Sequence, residues 1–174
     1  MKKGYIQVYT GNGKGKTTAA LGLALRAVGH GLRVLVIQFM KGERQEGEVE
    51  ASKKLAPLLT IRRVGEKSFL SREHLDEAAF EHARIGLDLA CRAIKERSCD
   101  ILILDEIILA VDFGLVSLSD LLGLMDRKPE SMELVMTGRN ACREILERAD
   151  LVTEMVERKH YFTQGVSARE GIEV

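Results

Sequence analysis

The stretch Thr10–Thr18, TGNGKGKTT, carries the strongest structural signal in the chain. It follows the β-type run Tyr5–Thr10 and precedes Leu21–Val28, where apolar residues recur at helical spacing. Closely spaced glycines let a backbone turn point its N–H groups inward, and the start of a helix adds partial positive charge. A strand, a glycine-rich loop and a helix in this order predict a phosphate-binding loop.

The loop departs from the standard pattern G-x-x-x-x-G-K-[ST] at its first position, where Thr10 stands in place of glycine. Lys16 is placed to reach terminal phosphates, and Thr17 to offer a hydroxyl ligand to Mg²⁺. Either Thr10 is tolerated there, or the loop has another shape and holds its phosphates in a non-standard way. We therefore expect nucleotide binding and leave the pose of the nucleotide open.

Short apolar runs alternate with helical stretches along the chain. The predicted strands are Tyr5–Thr10, Arg33–Phe39, Leu59–Val64, Asp100–Leu104, Glu133–Thr137 and Leu151–Val156. The predicted helices are Leu21–Val28, Arg72–Arg97, Leu118–Arg127 with Ser117 as cap, and Ala141–Arg148 with Asn140 as cap. This alternation predicts a single α/β domain over residues 1–174, with a P-loop NTPase-like (RecA-like) open, mostly parallel sheet and helices on both faces.

The run Ile101–Glu106 is a second candidate element, because an apolar strand there ends in two carboxylates. At the carboxyl edge of a parallel sheet, Asp105 or Glu106 can hold Mg²⁺ directly or through water. The pattern alone also fits an ordinary strand-end turn, but the phosphate loop upstream favours a nucleotide site. Glu106 is also suited to position a water or an acceptor hydroxyl, so an ATPase or a kinase stays open at this point.

Composition excludes several classes of protein. The 26 Lys and Arg balance 26 Asp and Glu, so no basic excess indicates a nucleic-acid or membrane partner. No apolar run approaches the ~20 residues of a membrane span, and the first residues do not form a signal peptide. Cys91, Cys99 and Cys142 form no C-x-x-C pair, which argues against disulfides and structural zinc. We expect a cytoplasmic protein.

Further segments resemble one family, the ATP:cob(I)alamin (corrinoid) adenosyltransferases of the CobA/BtuR type. The family's loop also lacks the first glycine. Beyond the loop, the matching segments are Gly22–Gly31 (GLALRAVGHG), Gln38–Gly42 (QFMKG), Leu104–Glu106 (LDE), Thr137–Ala141 (TGRNA), Ala149–Met155 (ADLVTEM), Lys159-His160 and Gly171–Glu173 (GIE). They extend over nearly the whole chain and are far more specific than a phosphate loop alone.

The resemblance implies transfer of the 5′-deoxyadenosyl group of ATP to the Co(I) of a reduced corrinoid, either cobalamin or cobyrinic acid a,c-diamide, with triphosphate released. Because Co(I) is a strong nucleophile, such an enzyme mainly orients the ribose C5′ and stabilises charge on triphosphate. The nucleotide is implied to lie reversed relative to ordinary P-loop enzymes, which gives Thr10 a rationale. Mg²⁺ or Mn²⁺, a flavoprotein reductant and a homodimer are implied as well.

Carried over residue by residue, the resemblance assigns catalysis to Lys16 and Glu106. It assigns metal binding to Thr17 and Glu106, with Asp105 as the alternative or outer ligand. Lys41 and His160 are weaker candidates, because a solvated lysine or a packed histidine is an ordinary finding. The implied nucleotide site comprises Gly11, Asn12, Gly13, Lys14, Gly15, Lys16, Thr17 and Thr18, with Arg26 and Arg139 adding positive charge.

One difference from the family concerns the corrinoid. Family members carry a Gly-Glu-Gly-Phe-Thr-Trp segment whose aromatic rings displace the lower axial ligand of cobalt, which makes reduction to Co(I) accessible. In this chain Gly65–Leu70 is GEKSFL, and the sequence contains no Trp. We expect Phe69 to take the place of the aromatic wedge in corrinoid binding, with Leu70 beside it. A non-catalytic, ATP-dependent corrinoid-binding protein is therefore a further alternative.

Overall fold

The computed structural model describes residues 2–42, 47–65 and 75–173. In these ranges six strands form one sheet in the order β3-β2-β4-β5-β1-β6, and each neighbouring pair is parallel. The α/β fold with a parallel sheet is thus confirmed. The strands are β1 (Ile6–Thr10), β2 (Val34–Phe39), β3 (Leu59–Val64), β4 (Ile101–Asp105), β5 (Glu133–Thr137) and β6 (Leu151–Glu154).

Helices follow most of the strands and pack on both faces of the sheet. Within the described ranges none is long and apolar enough to cross a membrane. The helices are α1 (Lys16–Gly29), α2 (Gly47–Lys54), α3 (Glu77–Glu96), α4 (Ile107–Asp112), α5 (Leu118–Asp126) and α6 (Arg143–Arg148), and a 3₁₀ turn covers Tyr161–Gln164.

Two buried apolar clusters hold the helices against the two faces of the sheet. On one face, Ala20, Ala24 and Ala27 of α1 pack in a cluster that also contains alternate residues of the central strands, such as Val36 and Ile103. On the other face, α3, α4 and α5 pack on the intervening residues of the same strands. Strands buried on both sides must be apolar at nearly every position, and this is the origin of the continuous apolar runs in the sequence.

The strand order brings the two predicted motifs together. β5 lies between β1, which leads into the phosphate loop, and β4, which ends in Asp105. Because all strands are parallel, the loop after β1 and the ends of β2, β4 and β5 lie at the same carboxyl edge. Ligands of open α/β sheets bind at this edge.

Several helix ends differ from the sequence-based expectation. The helix predicted over Ala141–Arg148 is present as α6, but it begins at Arg143 and Cys142 is at the cap position, so the prediction of Asn140 as cap is wrong. Asn140 has a left-handed backbone (φ 58°) instead of the extended geometry of a cap, and its amide donates to Asp112 at 3.1 Å. Ser117 is confirmed as the cap of α5, since its hydroxyl accepts the N–H of Asp120 at 3.0 Å.

The start of the third helix is also later than predicted. Asp76 caps α3 by accepting the N–H of Ala79 at 2.9 Å, so Leu75 and Asp76 precede the helix. Residues 72–74 of the predicted helix lie outside the described ranges. α2 and α4 have no counterpart among the predicted helices.

Gly86 tests the packing of α3 on the sheet. A Cβ at Gly86 would lie 2.6 Å from the ring of Phe39 and 2.7 Å from a methyl group of Val64. We expect Gly86→Ala to lower the free energy of unfolding by about 1–2 kcal/mol, because overpacking outweighs the gain in helix propensity. Urea unfolding followed by circular dichroism measures the change.

Gly22 is the matched control. It lies on the exposed face of α1, where an added Cβ has open space. Gly22→Ala should therefore raise stability by about 0.5–1 kcal/mol. Equal effects of the two substitutions would contradict the close packing of α3 against β2 and β3.

Candidate functional site

The phosphate loop turns at two glycines. Gly11 and Gly15 have φ values of 94° and 120°, which side-chain-bearing residues rarely adopt. Thr10 instead remains extended as the last residue of β1, in register with Glu154 of β6. Its position does not need a glycine, because the left-handed turn begins one residue later.

The loop is held from outside by the segment that follows β6. The N–H of Gly13 donates to the carbonyl of Met155 at 2.7 Å, and the N–H of Met155 donates to the carbonyl of Thr10 at 2.8 Å. A Cβ at Gly11 or Gly13 would lie 2.5 or 2.7 Å from the Met155 carbonyl oxygen. The ADLVTEM segment thus fixes the outer wall of the loop and requires glycine at both positions.

Lys16 is the first residue of α1 and lies inside the loop. Its side chain is buried, and Nζ donates to the carbonyls of Gly11 and Gly13 at 2.6 and 2.9 Å. Burial lowers the pKa of Lys16 from its ordinary value, while the nearby carboxylate of Glu106 acts in the opposite direction. The ammonium group is therefore preorganised at the centre of the loop.

Asp105 connects the loop to the ends of three strands. Its side chain is 1% exposed, and Oδ1 accepts the hydroxyls of Thr17 and Thr137 at 2.8 and 2.7 Å. Oδ2 accepts the amide of Gln38 at 3.2 Å and pairs with Lys41 Nζ at 3.2 Å. These donors satisfy a buried carboxylate that would otherwise be costly to desolvate.

Glu106 lies beside Asp105 in a different environment. It has a left-handed backbone (φ 61°), and its N–H donates to the Thr137 hydroxyl at 2.9 Å. Its Oε2 is buried, and within the described residues it accepts no hydrogen bond. Burial raises the pKa of Glu106, Asp105 raises it further, and Lys16 and Lys41 act in the opposite direction. The buried Oε2 is thus left without a donor in the described part of the chain, which suits a ligand of a cation.

A cavity of about 450 Å³ opens above the loop. Its floor is the loop and the start of α1, including Leu21, and Glu106 and Arg139 come from the strand ends. The other walls are Lys41, Gly47, Glu48, His160 and Gly171–Glu173.

The structure brings most of the predicted site residues together. Asn12 through Thr18 line the cavity, as do Glu106, Arg139, Lys41 and His160. Gly11 contributes its carbonyl to Lys16, and Asp105 lies behind Thr17. Arg26 is exposed in the last turn of α1 and is not brought to the cavity. Phe69 lies outside the described residues.

Three further residues at the site, Gln38, Thr137 and Glu48, are not among those predicted from the sequence. Gln38 and Thr137 are polar residues at the ends of apolar strands, the same signal that pointed to Asp105. Gln38 is fully buried, donates to both Glu48 and Asp105 at 3.2 Å, and has a buried carbonyl oxygen with no hydrogen-bond donor in the described ranges. Glu48, on the unpredicted α2, carried no such signal.

The donor set fits a magnesium ion. Mg²⁺ is usually held by one or two carboxylates, with water and substrate phosphates completing its shell. Thr17, Asp105 and Glu106 offer such donors, and a cation would satisfy the buried Oε2 of Glu106. Across the described ranges no group of three or more His, Cys, Asp or Glu is placed to hold a metal ion by itself.

The two adjacent carboxylates should affect stability in opposite directions. We expect Asp105→Asn to lower the free energy of unfolding by about 3 kcal/mol, because it removes a buried charge that four side chains satisfy. We expect Glu106→Gln to raise it by roughly 1 kcal/mol at neutral pH, because it removes a partly buried carboxylate whose Oε2 has no hydrogen-bond donor among the described residues. Thermal unfolding without nucleotide or metal measures both.

The pH dependence gives the second readout. Since the folded-state pKa of Glu106 is raised, the ionised form is disfavoured in the folded protein. The advantage of Glu106→Gln should be absent below the ordinary pKa of a glutamate, grow as pH rises and be complete above the raised pKa. An advantage that is the same at every pH would contradict this explanation.

The fold has a relative among solved structures. The chain superposes on a KaiC-like protein from the hyperthermophilic archaeon Pyrococcus horikoshii OT3 with a TM-score of 0.59, at 16% sequence identity. The match covers 87% of this chain and 72% of that one. At this identity the likeness concerns the fold alone.

Sequence comparisons identify the family as well as the fold. A family model described as ATP:corrinoid adenosyltransferase BtuR/CobO/CobP matches residues 2–174. The corrinoid adenosyltransferase of Escherichia coli K12 is 36% identical, and that of Salmonella typhimurium is 35% identical, each over 99% of this chain and 86% of the relative. The corrinoid adenosyltransferase of Pseudomonas aeruginosa is 32% identical over 99% of this chain and 84% of its own length. The chain therefore belongs to the ATP:corrinoid adenosyltransferase family.

Proposed function

We propose that this chain transfers the 5′-deoxyadenosyl group of ATP to the Co(I) of a reduced corrinoid and releases triphosphate. The observation that carries the proposal is a phosphate loop with a buried Lys16 that opens into a cavity of about 450 Å³, in a chain that the family model matches from residue 2 to residue 174. The single domain 1–174 would bind both substrates.

The proposed reaction does not require the protein to transfer a proton. Co(I) attacks the ribose C5′, the Co–C bond forms as the C5′–O bond breaks, and the electron pair of that bond leaves with triphosphate. The protein must hold C5′ in line with cobalt and stabilise the charge that develops on the leaving group. Lys16 and the loop N–H groups are positioned for the charge, and Arg139 adds a cation at the cavity wall.

A divalent cation, Mg²⁺ or Mn²⁺, would neutralise part of the triphosphate charge when bound. Thr17 and Glu106 are the residues proposed to hold it, because Thr17 adjoins Lys16 and Glu106 has an unpartnered buried oxygen. Asp105 would act as an outer ligand, since its oxygens already accept from Thr17, Thr137 and Gln38.

The remaining parts of the proposal rest on the resemblance. The acceptor would be cobalamin or cobyrinic acid a,c-diamide, a flavoprotein would supply the electron for Co(I), and the enzyme would act as a cytoplasmic homodimer. The comparisons do not favour an ATPase or kinase that uses Glu106, because the relatives named above are corrinoid adenosyltransferases.

One assay separates the candidate functions. Protein, Mg²⁺ and ATP are mixed with chemically reduced cobalamin, and the absorbance of the Co–C product and the released phosphates are followed together. We expect adenosylcobalamin and triphosphate in equal amounts. ADP and phosphate formed without any corrinoid would contradict the proposal, and tight corrinoid binding without product would identify a non-catalytic binder.

Lys16 tests the role of the loop. We expect Lys16→Ala to lower kcat of adenosyl transfer by at least about 100-fold, because the variant lacks the cation that stabilises the leaving triphosphate. Circular dichroism should show the same secondary structure, since Nζ bonds to two loop carbonyls and to no strand or helix backbone. Near-normal turnover of this variant would refute the assignment of Lys16.

A further inference from the structure

The C-terminal strap, defined here as residues 159–173, lies beside the phosphate loop. Its end, Gly171–Glu173, forms one wall of the cavity. Lys14 of the loop donates from Nζ to the carbonyl oxygen of Ile172 and to Oε1 of Glu173, each at 3.1 Å. A loop lysine expected to face the phosphates is thus engaged by the far end of the chain.

Hydrogen bonds within the strap converge on the carboxylate of Glu173. Its carboxylate accepts the hydroxyl of Tyr161, the backbone N–H of Arg169 at 3.0 Å and two guanidinium nitrogens of Arg169 at 3.2 Å. The Arg169 guanidinium also lies 4.9 Å from the centre of the Tyr161 ring. These contacts hold the carboxylate in place independently of Lys14, and they keep the pKa of Glu173 well below its ordinary value.

Lys14 alone links the strap to the rest of the protein by hydrogen bonds among the described residues. Within the part of the chain that the structure describes, the backbone hydrogen bonds of residues 159–173 are made inside the strap, and both side-chain bonds that reach it from outside come from Lys14. The outward-facing apolar residues Phe162 and Ile172 are 75% and 58% exposed, so they add little burial against the body. Removal of this one side chain should therefore release the strap.

We propose that Lys14 and Glu173 are positioning residues that clasp the C-terminal strap against the nucleotide cavity, and that Lys14 serves this contact instead of binding triphosphate. Lys16 and the loop N–H groups remain the phosphate-binding groups. With the strap clasped, Gly171 and Ile172 form a fixed wall, so ATP does not have to order this segment when it binds. The kinetic part of this inference rests on the proposed function.

A double-mutant cycle tests the clasp. We expect Lys14→Gln and Glu173→Gln each to raise the KM for ATP about fivefold and to leave kcat within about twofold, the size of effect expected for a partly exposed charged contact. Because both substitutions weaken the same Lys14–Glu173 contact, the double variant should be no worse than the poorer single variant. Lys14→Arg keeps a donor and should retain most of the affinity.

Hydrogen exchange gives a readout that needs no substrate. Amide exchange of residues 160–173 should become about fivefold faster in Lys14→Gln, although that substitution lies outside the strap. Glu147→Gln is the matched control, because it breaks the exposed ion pair with Arg143 at 2.6 Å on α6, outside both loop and strap. It should change neither the KM nor the exchange of the strap.

Other results of these experiments would overturn the proposal or the proposed function. If Lys14→Gln raises the KM far more than Glu173→Gln and the effects add in the double variant, Lys14 is a phosphate ligand and the proposal is wrong. Unchanged exchange of the strap in Lys14→Gln also overturns it. If the unmodified chain shows no adenosyl transfer, the proposed function fails, but the exchange experiment still decides whether the clasp exists.

Discussion

The buried carboxylate of Asp105 organises the carboxyl edge of the sheet. A carboxylate that is 1% exposed is tolerated only when donors compensate for its lost hydration. Here the donors come from the start of α1, the end of β5, β2 and the segment after β2. These donors come from three regions of the chain that are far apart in sequence, and they must converge on two oxygen atoms. The position of the phosphate loop relative to the strand ends follows from this convergence.

Asp105 and Glu106 are adjacent in the chain, but their carboxylates have different surroundings. The left-handed backbone at Glu106 directs its carboxylate to the cavity wall, while Asp105 points among the strands. The donors that stabilise Asp105 are then unavailable to Glu106, whose Oε2 is buried without a hydrogen bond in the described part of the chain. A group that is unfavourable for folding and exposed to a ligand cavity is typical of functional sites. The pair thus combines a carboxylate that the fold supplies with donors and one at the cavity that we propose as a ligand of a cation.

The sequence was sufficient for features that depend on local pattern. The buried strands are continuous apolar runs, and the loop has its own glycine and lysine spacing. Features set by distant contacts were not predictable in this way. Asn140 looks like a helix cap until Asp112 binds its side chain, and α4 follows β4 directly, so its apolar residues look like a continuation of the strand. The roles of Gln38, Thr137 and Glu173 likewise depend on strand order and on the path of the chain end, which spacing does not encode.

The balanced charge of the chain is compatible with binding a triphosphate, because the three lysines that line the cavity already have partners. Lys14 is paired with Glu173, Lys41 with Asp105 and Glu48, and Lys16 donates to loop carbonyls. Binding of ATP is then an exchange of partners more than a neutralisation of free charge. For Lys16 the exchange is favourable, since a phosphate oxygen is a stronger acceptor than a neutral carbonyl. For Lys14 it is not, since the residue would leave one carboxylate and one carbonyl for an anion whose proposed binding groups are Lys16 and the loop N–H groups. The difference between these two lysines lies in the acceptors that each would give up.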